Sequence, residues 1–201
     1  VIVVPNALPQ NFVNRLTPNF KTAFKRKTIL MLGSLKLYKS PLEFIELAKR
    51  LPQFVFVLVI SDTKENIDIF IEKYKINVCK NLTIYPRQND VVPFYNQASL
   101  VLNLSDKKQV VETFGLTALE AMSAGLPVIV PTEGGIAEMV VDGENGYKID
   151  VQHLNQIAEC IKTILSDETL YIKLAQNALA YSKRFSEVEM VNCIEMILNR
   201  K

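Results

Sequence analysis

The chain has 201 residues, room for one domain of generous size, and 49% of them are hydrophobic, enough for a substantial core. Lysines and arginines number 23 against 21 acids, a net charge of +2, which argues against a nucleic-acid surface or a polybasic membrane patch. The longest apolar run, 54–60, is far too short to cross a bilayer. Cys79, Cys160 and Cys193 show no metal-ligand spacing and, as an odd count without pattern, fit a reducing compartment. The single histidine, His153, cannot make a zinc site alone and reads as a helix-start or surface residue.

Residues 1–4 read as a short strand or linker; with neither an initiator Met nor a signal peptide, the chain is expected to be part of a longer protein. Strand and helix patterns then alternate. Strands are predicted at 28–33, 54–60, 82–85, 99–104, 128–131 and 147–149, and helices at 41–51, 64–75, 91–97, 113–123 and 136–140. The Val/Phe run at 54–60 has the composition of a strand buried on both faces. This alternation predicts an α/β fold with a doubly wound parallel sheet, which binds ligands beyond the carboxyl ends of its strands. Gly33-Ser34, Pro86-Arg87, Ser105-Asp106 and the 132–135 loop are expected there. From Val151 the pattern changes to three consecutive helices, 151–165, 168–184 and 188–198, with solvated charged faces. Asp142-Gly143-Glu144-Asn145-Gly146 reads as a turn.

The stretch from Glu112 to Val128 concentrates the chemistry: two carboxylates, Glu112 and Glu120, with seven residues between them. Phe114-Gly115 follows the first and Ala124-Gly125-Leu126-Pro127 the second. Taken alone, Glu112 is an acid complementing a helix dipole and Glu120 a solvated mid-helix acid. Taken together, they can touch two parts of one elongated ligand. On a helix starting at Thr113, Glu112 lies at or just before the N-terminus, where amides attract anions, and Gly115 lets a ligand approach the backbone. Glu120 then stands two turns on, rotated by roughly 80°.

This pattern resembles the E-x7-E signature of family 4 retaining glycosyltransferases, nucleotide-sugar-dependent enzymes of the GT-B fold. The resemblance covers most of the chain and implies the C-terminal, donor-binding half of such an enzyme, with a Rossmann-like sheet. Residues 1–27 are then the interdomain linker and lead-in, 28–150 the α/β core and 151–201 the closing helices, while the N-terminal acceptor domain lies outside the chain. Val3-Val4-Pro5-Asn6 resembles the crossing between the two halves.

The resemblance also assigns roles. Glu112 would hold the hydroxyls of the transferred sugar, with Phe114 and Gly115 supplying backbone contacts beside it. Glu120 would accept from the ribose. Lys39 and the N–H groups of Leu116 and Thr117 would take the diphosphate. Gly134-Gly135 matches the family's Gly-Gly loop, or is an ordinary turn. The family has an Arg five residues before the Lys; here that place is Ser34, so a bidentate clamp is replaced by a hydroxyl. Either Lys36 compensates or donor affinity is lower. Arg87 is a base contact or a surface residue, and the charge run Asp106-Lys107-Lys108 is expected to be solvated.

The implied donor is a UDP- or GDP-sugar, with no cofactor and no metal. The implied acceptor is a carbohydrate or glycolipid held mainly by the other domain. The implied setting is polysaccharide, lipopolysaccharide or glycolipid synthesis in the cytoplasm, with the full-length protein at the inner face of the membrane. The competing readings are a non-catalytic nucleotide-sugar-binding scaffold, favoured by Ser34, and a sugar-nucleotide epimerase of the same fold, disfavoured by the lone histidine.

Overall fold

The computed structural model describes residue 4 and residues 6–199; the strand or linker expected at 1–4 lies, apart from Val4, outside the described residues. Six strands form one sheet in the order β3-β2-β1-β4-β5-β6, and every neighbouring pair runs parallel. They are β1 (Thr28–Gly33), β2 (Val55–Ile60), β3 (Leu82–Tyr85), β4 (Leu100–Leu102), β5 (Val128–Val130) and β6 (Gly146–Lys148). The expected doubly wound parallel sheet is the one that forms. Its central strands are buried on both faces: all three residues of β4 and of β5 are shielded, as are Ile29, Leu30 and Met31 of β1. That double burial is why these segments read as unbroken apolar runs.

Two helices precede the sheet, α1 (Gln10–Val13) and α2 (Phe20–Arg26). The sequence pattern suggested neither. Asn19 caps α2 by accepting from the Thr22 N–H at 3.0 Å, and Leu8, Leu16 and Ala23 join the core. Between the strands lie α3 (Pro41–Arg50), α4 (Lys64–Lys73), α5 (Val92–Gln97), α6 (Leu116–Ser123) and α7 (Gly135–Glu138). The crossover β1-α3-β2 steps outward one way and β4-α6-β5 the other. Right-handed connections therefore place α3 and α6 on opposite faces. Accordingly α3 packs on β2, while α5 packs on β1 and α6 on β4 and β5.

The closing segment is α8 (Leu154–Ser166), α9 (Glu168–Ser182) and α10 (Glu187–Leu198). Asp167 and Ser186 cap the last two by accepting from the Leu170 and Glu189 amides. α8 and α9 are built into the molecule: Ile157, Ile161, Tyr171 and Leu174 have no exposed surface, and α9 packs on α2 and α6. α10 differs, with no buried residue and with Val188 66% and Leu198 77% exposed.

Candidate functional site

A cleft of about 490 Å³ opens at the carboxyl ends of β1 and β4. These are the two strands from which the chain winds in opposite directions, so the cleft occupies the switch point of the sheet. Gly33 and Ser34 line it from the end of β1, residues 103–105 from the end of β4, and residues 112–117 from the approach to α6. Lys39 enters from a 3-10 turn over Leu37–Lys39. Of the residues singled out in the sequence, Ser34, Lys39, Glu112, Phe114, Gly115, Leu116 and Thr117 thus share one cavity. Lys36, Arg87, Glu120, Gly134 and Gly135 stand outside its lining.

The approach to α6 departs from the sequence reading. The helix begins at Leu116, three residues later than expected, because Gly115 at its N-cap holds φ +79, where a side chain is strained. A Cβ there would also stand 2.5 Å from the Ile136 side chain. Glu112, Thr113 and Phe114 are consequently not helical. The position of Glu112 relative to Glu120 follows from this loop and not from a helical rotation. Leu116 and Thr117, the first residues of the helix, carry amides that intrahelical bonding leaves free.

Inside the cleft, the Lys39 ammonium is ion-paired with the Glu112 carboxylate. Lys39 Nζ also donates to Ser105 Oγ at 3.2 Å, and Ser105 Oγ donates to Glu112 Oε2 at 3.2 Å. Asn103 orients this triangle by accepting from the Ser105 N–H at 3.1 Å through Oδ1. Its Nδ2 donates to Thr117 Oγ1 at 3.4 Å. The sequence reading placed Ser105 among the residues beyond the strand ends, where such sheets bind ligands, but gave it no individual role, and it did not single out Asn103. A cation, a hydroxyl and two helix amides on one side suit an anion such as a diphosphate. A carboxylate beside them suits hydroxyl groups.

Several residues shape this centre from outside. Gly134 holds φ +94, and a Cβ on Gly134 or Gly135 would overlap the carbonyl oxygen of Glu112 or of Thr113, so the β5-α7 loop presses directly on the Glu112 segment. Phe114 packs edge-to-face on Phe185, with ring centroids 5.8 Å apart. Glu120 accepts from the Tyr95 hydroxyl at 2.5 Å. Burial pushes the Glu120 carboxyl above its ordinary value, and the Tyr95 hydrogen bond only partly opposes that shift. Arg87 is exposed and donates to the carbonyl of Ser61, itself in the cleft wall, at 2.9 Å. Lys36 is exposed, and its amide donates to Ser34 Oγ at 3.4 Å.

The charge run at 106–108 is not simply solvated. Lys107 Nζ donates to Thr132 Oγ1 at 2.7 Å and Glu133 Oε1 at 2.6 Å, and lies 3.0 Å from Asp150 Oδ2. Among the described residues, no group of three histidine, cysteine or acidic side chains is placed to hold a metal ion, and no helix is long and apolar enough to cross a membrane.

Residues 15–181 match the family described as Glycosyl transferases group 1. The chain is 34% identical to N-acetyl-alpha-D-glucosaminyl L-malate synthase of Bacillus anthracis over 51% of its length and 28% of that enzyme. It is 27% identical to D-inositol 3-phosphate glycosyltransferase of Corynebacterium jeikeium over 92% of its length and 48% of the enzyme. It therefore corresponds to about half or less of these curated relatives. Among solved structures, the C-terminal domain of a group 1 glycosyl transferase from Francisella tularensis superposes with a TM-score of 0.70 at 26% identity, covering 87% of this chain and 98% of that domain. Anabaena HepE, solved with UDP and glucose, shares the fold at 22% identity with a TM-score of 0.78, over 94% of this chain and 55% of HepE.

Proposed function

This chain belongs to the group 1 glycosyltransferases, and on that premise we propose that it is the donor-binding half of a retaining enzyme. It takes a nucleoside diphosphate sugar in the switch-point cleft. The sugar passes to an acceptor hydroxyl held mainly by a second domain. The observation that carries this reading is the pairing of Lys39 with Glu112 in one cavity with the opening amides of α6.

The roles follow from the chemistry of each group. Lys39 and the Leu116 and Thr117 amides neutralise the diphosphate and stabilise it as leaving group. Glu112, released from Lys39 by that phosphate, accepts from hydroxyls of the transferred sugar and orients its anomeric carbon. Phe114 and Gly115 supply backbone beside it. Glu120 accepts from the ribose, and Arg87 stands toward the base. Ser34 gives the phosphates a hydroxyl where a guanidinium would bind more tightly, with Lys36 the nearest additional cation along the chain. Gly134 and Gly135 shape the site through the Glu112 backbone. The product is a surface polysaccharide or glycolipid, assembled in the cytoplasm at the inner face of the membrane.

Calorimetric titration of this chain with UDP, GDP, ADP and TDP tests the reading. One nucleotide is expected to bind, and Lys39→Met is expected to weaken it at least tenfold, the loss of roughly 1.4 kcal/mol of charge-assisted hydrogen bonding. Binding of none would overturn the donor reading. With radiolabelled donor the isolated chain is expected to bind without turnover, since the acceptor site belongs to the second domain; transfer by the chain alone would contradict that division. The position of Ser34 favours a second reading, a scaffold that binds nucleotide sugar without transferring it. Glu112→Gln in the full-length protein separates the two: a catalytic domain loses transfer while staying folded, whereas a scaffold shows no transfer to lose and keeps its biological role.

A further inference from the structure

Glu112 sits in a loop between β4 and α6 that has no regular secondary structure, yet its carboxylate must be held in place to select a sugar. Two contacts hold one side of this loop. The Asp106 N–H donates to the Tyr38 carbonyl at 2.7 Å, next to Lys39, and the Asp106 carboxylate accepts from Gln152 Nε2 at 2.6 Å. The other side is held by Lys107. Its ammonium has three donors and finds three oxygen-bearing partners, Thr132, Glu133 and Asp150. Asp150 is buried and anchored, accepting from the Thr132 N–H at 2.9 Å and from its hydroxyl at 2.9 Å. Thr132 and Glu133 immediately precede Gly134-Gly135, whose backbone presses on the carbonyls of Glu112 and Thr113. The contacts close a ring: loop 105–112 to Lys107, Lys107 to the β5-α7 loop, and that loop back to Glu112.

We propose that Lys107 is a positioning residue for the sugar end of the donor, fixing Glu112 by tying its loop to Asp150 and to the β5-α7 loop. The inference rests on the reading of Glu112 as the sugar contact. It makes a specific demand: the nucleotide and diphosphate, held by Lys39 and the α6 amides, do not depend on Lys107, whereas the added affinity due to the sugar does. The charge states suit a permanent tie. The Glu133 and Asp150 hydrogen bonds raise the Lys107 pKa. Burial would raise the Asp150 carboxyl, but the bonds from Thr132 and Lys107 outweigh it and hold the group below its ordinary value.

The test compares UDP with UDP-glucose, and GDP with GDP-mannose, by calorimetry on the wild type, Lys107→Met and Lys107→Arg. For the pair that the wild type binds, Lys107→Met is expected to keep the nucleoside diphosphate affinity within about twofold. The sugar-nucleotide advantage is expected to shrink about five- to tenfold, the coupling typical of a shared polar network. Lys107→Arg, which retains the charge and the reach, is expected to restore most of it. If Lys107→Met does not fold, Asp150→Asn, which keeps an acceptor for Thr132, is expected to give the same selective loss. An undiminished sugar advantage, or an equal loss for nucleotide and sugar nucleotide, overturns the proposal. A wild type that binds neither pair, nor ADP or TDP, overturns the donor reading itself.

Discussion

At the scale of single residues, the cleft has groups that neutralise one another. Lys39 and Glu112 are paired, and each is proposed to serve a different end of the donor. A nucleoside diphosphate alone must draw Lys39 away and leave the carboxylate beside its phosphates. Glu112→Gln is therefore expected to tighten UDP or GDP binding by about threefold to tenfold, roughly 1 kcal/mol for a partly buried pair, while weakening the corresponding sugar nucleotide. Titrating both ligands against this variant checks the opposite signs. Glu120 gives a second residue-scale expectation. Its folded pKa is raised by burial, so its contribution to stability is present below the ordinary glutamate value and is lost as pH rises through the raised one. At neutral pH the ionised group costs stability. Glu120→Gln should raise the melting temperature at pH 7, by about 2–4 °C for each kcal/mol regained, and gain little at pH 4. Unchanged melting at both values would contradict this account. The spacing drew attention to both carboxylates, of which Glu112 lines the cleft and Glu120 stands outside its lining. Asn103 was not legible, and Ser105 was legible only by its place beyond a strand end, because small polar residues take their meaning from the strand they follow. Lys107 was misread because Thr132, a partner, lies 25 residues further on.

At the scale of elements, the site is made by loops that lean on one another. The strongest test is Gly135→Ala, whose Cβ would overlap the Thr113 carbonyl. The β5-α7 loop must then move away from the Glu112 segment. The variant is expected to lose about 1–3 kcal/mol of stability in denaturant unfolding, the typical cost of overpacking, and to lose sugar-nucleotide affinity as well. A neutral outcome on both would mean that the contact does not hold the segment. Strands were among the most legible elements: β1 falls where 28–33 was expected, through a central run buried on both faces, and β3 falls at 82–85 although it is an edge strand whose Thr83 and Tyr85 are exposed. The start of α6 was not legible. The expectation of helix from Thr113 followed composition and apolar spacing, whereas the boundary lies at Gly115, whose positive φ and close approach to Ile136 leave no room for a side chain. α1 and α2 escaped because they are short and bury only scattered side chains. Their stability comes from packing on the core, not from periodicity.

At the scale of the whole molecule, the alternation of strands and helices dictated the winding of the sheet and hence the place of the cleft. What alternation does not reveal is how tightly the closing segment is attached. α8 and α9 are embedded in the core, and then the chain turns through Lys183 and Arg184, both exposed, into a helix with no buried residue. Such an element opens at almost no free-energy cost, so a protease should find it first. Trypsin cutting after Arg184 would release Phe185 together with α10, while the sheet and its core remain intact. Phe185 is also the ring against which Phe114 rests. Limited digestion should therefore give a trimmed fragment that still unfolds cooperatively but has lost part of its grip on the donor.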